Sequence, residues 1–232
     1  MNSILDEPPR IVRGPGSAEQ PLRRFALIGD VHAEDERLET AIALARGERV
    51  DAILCVGDVA DGHGDLERTV ELLERERVHV VRGNHDRWFV RDELRTLKPV
   101  HFAASSPRAA EAARLWPPLL EIATTRGLML LCHGVADDDM AVIKEHTSDL
   151  ELHGISAWSR LRARGRHRFM AAGHTHDAMV RAIGPITVLN PGTLKRDAAP
   201  CTAIVDFSRG VMDLYALDDP RSAEHARTLA IP

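Results

Sequence analysis

Six short runs gather the groups in this chain that could do chemistry. They are Asp30-Val31-His32, Gly57-Asp58-Val59-Ala60-Asp61, Gly83-Asn84-His85-Asp86, Cys132-His133-Gly134, Gly173-His174-Thr175-His176 and Asn190-Pro191-Gly192-Thr193. Each of the first five sets a carboxylate, imidazole or amide directly after an apolar, strand-like stretch. Asp30 and His32 are two residues apart, so at the end of a strand both would point the same way and reach one ion. His174 and His176 repeat that spacing. Gly57 permits a sharp turn that delivers Asp58 into a crowded centre, where its two oxygens could bridge two ions. Asn84 offers an amide oxygen, and His133 an imidazole after a buried strand. A mixed oxygen and nitrogen set of this kind suits manganese, iron, zinc or nickel better than calcium or a thiolate-bound structural zinc. If the runs converge, the chain holds two metal ions, and phosphoester hydrolysis is the chemistry such a pair serves.

No single run carries that inference. An Asp-x-His pair is common, Gly-Asn-His-Asp reads equally well as a polar turn, and His133 alone reads better as a buried structural histidine. The weight lies in all of them closing successive strands of one chain. His79, His101, His146, His153, His167 and His225 lack that support and read as core or surface residues.

The elements that must position these runs alternate in type. Apolar strands are expected at 25–28, 52–56 and 78–81. Between them, Leu38, Ala41, Ile42 and Ala45 fall on one helical face, and Leu66, Val70 and Leu73 mark a second helix. Strand and helix alternating at this spacing signals a parallel sheet with crossover helices, whose sites lie at the C-terminal strand ends. The first three runs sit there. Beyond them, 89–118 reads as helical with a break at Trp116-Pro117-Pro118, and 119–124 with 128–132 as a hairpin. Residues 135–153 are polar and weakly patterned, and 155–163 reads as a helix. Strands follow at 168–172, 178–183, 186–189, 202–207 and 211–217. The expected class is α/β (α+β), two packed mixed sheets flanked by helices. Residues 1–22, rich in Pro, Gly and charge, read as a loose N-terminal arm before a single domain over 23–232.

Composition narrows the partners. The chain has 232 residues, 44% hydrophobic and 28% charged, with a formal net charge of −5. That balance argues against general nucleic-acid binding, which relies on cationic surface. A small phosphorylated substrate remains compatible, because metal ions would supply the positive charge. Three cysteines without framework spacing fit a reducing compartment. The N-terminus has no apolar core of signal-peptide length, and no stretch approaches the roughly 20 apolar residues that span a bilayer. The expectation is a cytoplasmic protein without membrane association; its oligomeric state has no signature.

The ordered set resembles the calcineurin-like metallophosphoesterase superfamily, whose pattern is D-x-H, G-D-x-x-D, G-N-H-D/E, a histidine before Gly, and G-H-x-H. The likeness covers about residues 25–195. Gly-His-Thr-His followed by Asn-Pro-Gly-Thr looks most like the small prokaryotic phosphodiesterase branch. The resemblance implies a four-layer α/β/β/α sandwich. It also implies that Asp30, His32, Asp58 and His176 bind one ion, and that Asp58 bridges to a second held by Asn84, His133 and His174. Manganese is the first candidate, with Fe, Zn, Ni or Mg as others. His85 would protonate the leaving oxygen, Asp61 would orient His85, and Asp86 would support from behind. A hydroxide between the ions would attack phosphorus in a small phosphoester, mono- or diester.

Two departures stand out. Ala33 replaces the glycine many relatives carry after D-x-H, which would narrow the space near the first ion. Gly62-His63 replaces the Arg-Gly that follows the second motif in protein Ser/Thr phosphatases and symmetrical dinucleoside tetraphosphatases. Arg87, Lys195 and Arg196 are possible substitutes for the lost arginine, although each alone reads as surface charge. Asp137-Asp138-Asp139 reads as a solvated turn or a tuning element. Two other readings stay open: a hydrolase specific for cyclic nucleotides or dinucleoside polyphosphates, and a non-catalytic scaffold, since the superfamily includes members that keep the fold and bind proteins.

Overall fold

The computed structural model describes residues 11–93 and 98–232. Its strands are β1 (Ile11–Arg13), β2 (Arg24–Ile28), β3 (Ala52–Cys55), β4 (His79–Val80), β5 (Leu119–Thr124), β6 (Gly127–Leu131), β7 (His167–Ala171), β8 (Met179–Ile183), β9 (Ile186–Asn190), β10 (Cys201–Asp206), β11 (Val211–Ala216) and β12 (Glu224–Ala230). The helices are α1 (Asp35–Gly47), α2 (Leu66–Arg75), α3 (Asn84–Arg91), α4 (Pro107–Leu115), α5 (Asp149–Gly154) and α6 (Ser156–Arg164).

Two mixed sheets result, ordered β12-β11-β10-β2-β3-β4 and β1-β5-β6-β7-β9-β8. The β2, β3 and β4 strands pair in parallel, as the alternation of strand and helix requires. Their side chains explain the layering. Along β2, Phe25 and Leu27 enter a cluster with Ile122, Met129 and Phe169 of the other sheet, while Ala26 and Ile28 join Leu38, Val70 and Ala109 of the helices. Both faces of the strand are thus apolar, as expected for a sheet covered on both sides. A third cluster sets Leu130, Met170 and Val188 against Trp158 and Leu161 of α6. The order is helix, sheet, sheet, helix. Fully burying one Leu or Phe contributes about 1.5–3 kcal/mol, so these three clusters are the main stabilising source.

Local signals set the helix ends. Asp65 caps α2 by accepting from Arg68 N at 3.0 Å, and Ser148 with Glu151 forms a reciprocal capping pair on α5. The expected helix over 89–118 is instead α3 and α4, and residues 94–97 lie outside the described residues. The loose arm expected over 1–22 differs in its described part. Ile11–Arg13 pairs in parallel with Leu119–Glu121, and Leu22 enters the inter-sheet core. Pairing there covers the otherwise open edge of β5. No helix among the described residues is long and apolar enough to cross a membrane.

Candidate metal centre

All six runs lie at or just beyond the C-terminal ends of strands from both sheets: β2, β3, β4, β6, β7 and β9. Their side chains form two groups. Asp30, His32 and His176 have donor atoms within 4.8 Å of one another, as do Asp58, His133 and His174. In the first, His176 Nε2 is 3.1 Å from Asp30 Oδ2 and 3.2 Å from His32 Nε2. In the second, His133 Nε2 is 3.2 Å from Asp58 Oδ2 and from His174 Nδ1, and 2.8 Å from Asn84 Oδ1.

The route to this convergence differs from the expected one. Asp30 and His32 share a group, but not through the alternation of a strand, because β2 ends at Ile28. His32, Asp58, Asp61, His174 and His176 all adopt positive φ, between 47° and 66°. Five left-handed non-glycine residues in one centre are uncommon and costly, and such strain concentrates where function requires a fixed side-chain direction. The turn at 174–176 also parts the two histidines: His174 faces Asp58, and His176 faces Asp30.

Glycines allow the loops to interlock. A Cβ on Gly83 would overlap Asp58 Oδ1, and one on Gly57, itself at φ +96°, would come within 2.6 Å of Gly83 N and Val81 O. Asp86 then stitches this region, accepting from Val59 N at 2.8 Å, Ala60 N at 3.0 Å and Gly83 N at 2.9 Å. Burial, helped by the Asp58 charge, raises its pKa to about 6. The last run supports from outside. Asn190 donates to Gly173 O and Thr175 Oγ1, both at 3.0 Å, and Thr193 Oγ1 donates to Asp30 O at 2.8 Å.

The donor chemistry fits metal ions. His133 Nδ1 is 2.9 Å from Val56 O, and His32 Nδ1 is 2.8 Å from Asp61 O. A carbonyl can only accept, so each Nδ1 carries a proton and each ring turns Nε2 into the centre, where it offers a lone pair to a metal whenever it carries no second proton. That nitrogen meets carboxylate, amide oxygen or another imidazole about 3 Å away, an arrangement stable only with positive charge among the donors. Burial disfavours charge on His133, yet the Asp58 and Asp30 charges prevail and its pKa rises to about 10. Burial likewise works against the Asp30 carboxylate, but His133 and His176 hold it below its usual range. Donor atoms about 3 Å apart are close enough to share one ion whose ligand distances are about 2.1 Å.

His85 stands beside the groups rather than in them. Its Nδ1 is 2.8 Å from Asp61 Oδ2, and its ring packs edge-on against His32 at 5.1 Å and Trp88 at 4.9 Å. Trp88 was not anticipated, because the expected helix began at residue 89, whereas α3 starts at Asn84 and sets Trp88 three residues beyond His85 on the same helix. His101 carried no signal, yet its Nδ1 accepts from Asp61 N at 3.0 Å while its own N–H donates to Asp61 Oδ1 at 2.8 Å.

The departures resolve in part. Ala33 has φ +55° and lies in the apolar cluster of α1 and α2, so its methyl does not narrow the metal centre. Arg87 binds Asp139 through Nε at 2.7 Å, Arg196 binds Glu34 at 2.7 Å, and Lys195 Nζ is 3.4 Å from Asp197. Asp137 pairs with Arg160, and Asp138 caps the turn at Met140. The Asp run is therefore a structured turn tied to α3 and α6.

Residues 24–210 match the model of the calcineurin-like phosphoesterase superfamily domain. The chain belongs to that superfamily. Solved structures share the fold at low identity. The phosphoesterase Yfce from E. coli is 17% identical, with 90% of this chain and 100% of that one covered and a TM-score of 0.56. PH1004 from Pyrococcus horikoshii is 13% identical over 88% and 89% of the two chains, with a TM-score of 0.67. Vacuolar Protein Sorting 29 from Cryptosporidium parvum is 18% identical over 91% and 100%, with a TM-score of 0.52.

Proposed function

We propose that this superfamily member is a dinuclear-metal-dependent phosphoesterase acting on a small phosphorylated substrate. The observation that carries the reading is the pair of facing His/Asp groups with His85 and Asp61 at their side. Asp30, His32 and His176 would hold one divalent ion. Asn84, His133 and His174 would hold the other, with Asp58 shared between them. Manganese is the first candidate. The ions would supply Lewis acidity toward the phosphoryl oxygens and lower the pKa of an attacking water.

The remaining work falls to the chain's own residues. Nε2 of His85 is the ring nitrogen left to face substrate, because Nδ1 is engaged by Asp61. From there His85 donates a proton to the departing ester oxygen. Asp61 holds the ring in that orientation and stabilises its cationic form. Asp86 and Asn190 keep the loops fixed, so little reorganisation accompanies reaction. A scaffold would have no need of the whole donor set together with a carboxylate-paired histidine, so catalysis is the stronger reading. The test is hydrolysis of bis(p-nitrophenyl) phosphate and p-nitrophenyl phosphate with Mn²⁺, Ni²⁺, Mg²⁺ or chelator. Turnover that requires added metal supports the reading. Turnover surviving complete metal removal, or none with metal bound, rejects it.

A further inference from the structure

Where the two sheets part, between β8 on one side and β11 and β12 on the other, a cleft of about 540 Å³ opens beside His176. We propose that this cleft binds the organic group that remains on the phosphate, so that the enzyme prefers phosphodiesters whose second ester group is apolar and of nucleoside size. The proposal rests on the phosphoesterase reading of the metal centre.

Position is the first argument. His176 lines the cleft and its Nε2 is 3.1 Å from Asp30 Oδ2, so a phosphoryl group held by the Asp30 group lies at the cleft mouth. The proton donor is elsewhere. His85 does not line the cleft, and the His32 ring packs edge-on against His85 and against His176, each at 5.1 Å. A leaving group placed at His85 therefore starts outside the cleft lining, whereas the second substituent of a diester held beside His176 can extend into it. A monoester has no group to put there.

Chemistry is the second argument. Ala178, Met179, Pro200 and Leu214 give the cleft mainly apolar walls. Lys144, Glu145, Asp177, Asp218 and Arg227 also line it, charges of both signs that offset one another, with Lys144 Nζ 3.9 Å from Asp177 Oδ2. Such a lining suits an uncharged, flat group rather than a second phosphate. A volume within about 300–1,000 Å³ is that of sites for compact organic ligands.

Two exposed alanines of the lining, Ala199 and Ala226, allow the cleft to be filled without touching the metal centre. The substrates are bis(p-nitrophenyl) phosphate, methyl p-nitrophenyl phosphate and p-nitrophenyl phosphate, which share one leaving group. With Mn²⁺, the parent protein should favour the bis-aryl over the methyl diester by about tenfold or more in kcat/KM. Ala199→Trp and Ala226→Trp should bring that ratio toward one through KM, with kcat for the methyl diester unchanged. Two positions on different segments keep the test open if one variant does not fold. A ratio near one in the parent, or an unchanged ratio in a folded variant, overturns the cleft proposal alone. No turnover of any ester by metal-loaded protein overturns the phosphoesterase reading as well.

Discussion

Nδ1 of His85 lies 2.8 Å from Oδ2 of Asp61, a carboxylate with no solvent exposure. Burial lowers the proton affinity of His85, but the Asp61 bond and the Asp58 charge outweigh it, and its pKa stands above the ordinary histidine value. A general acid works while protonated, so activity should fall as pH rises through that raised pKa. Asp61→Asn removes the charge and lowers the pKa. The basic limb of the kcat profile should then move to lower pH, as steady-state kinetics across pH would show. An unmoved limb assigns Asp61 another role.

His174 and His176 stand two residues apart but face different groups. Replacing either with Ala should cost mainly one metal equivalent per chain, and Asp58→Ala should cost both. Elemental analysis of the purified variants reads this directly. Loss of the same ion in both histidine variants contradicts the division.

Gly83 has ordinary backbone torsions, yet a Cβ there would overlap Asp58 Oδ1. Gly83→Ala should displace Asp58 and reduce metal content. Gly47, the last residue of α1, has nothing within 4 Å of a Cβ. Gly47→Ala should stabilise by about 0.4–1 kcal/mol, seen as a higher melting midpoint with metal content unchanged.

The buried Asp61 N–H donates to His101 Nδ1 at 3.0 Å. His101→Leu removes that acceptor and should cost about 1–3 kcal/mol by denaturant unfolding. His101→Asn offers an oxygen in its place and should recover most of it. Equal losses would show that the side-chain acceptor does not matter.

Much of this was legible because strand and helix alternate early in the chain. The apolar faces of Phe25-Ala26-Leu27-Ile28 and of Leu38, Ala41, Ile42 and Ala45 announce layers, and the runs that follow the strands announce the centre. What escaped was geometry without periodicity. The left-handed turns at His32, Asp58, Asp61, His174 and His176 leave no compositional trace, since glycine would be the expected residue there. His101 reaches Asp61 from 40 residues away through a segment with no repeat. Strand β12 is exposed along nearly all its length and shows no alternation, so only its pairing with β11 defines it. Ile11–Arg13 was hidden by the charge and proline around it, although it completes a sheet edge.

The central claim is that holding metal and delivering a proton belong to different residues of one centre. His85→Ala tests it most directly, with metal content and turnover of bis(p-nitrophenyl) phosphate measured on the same preparation. The expected result is full metal occupancy with kcat lowered about 10²–10⁴-fold. An empty site in that variant, or undiminished turnover, would contradict the account.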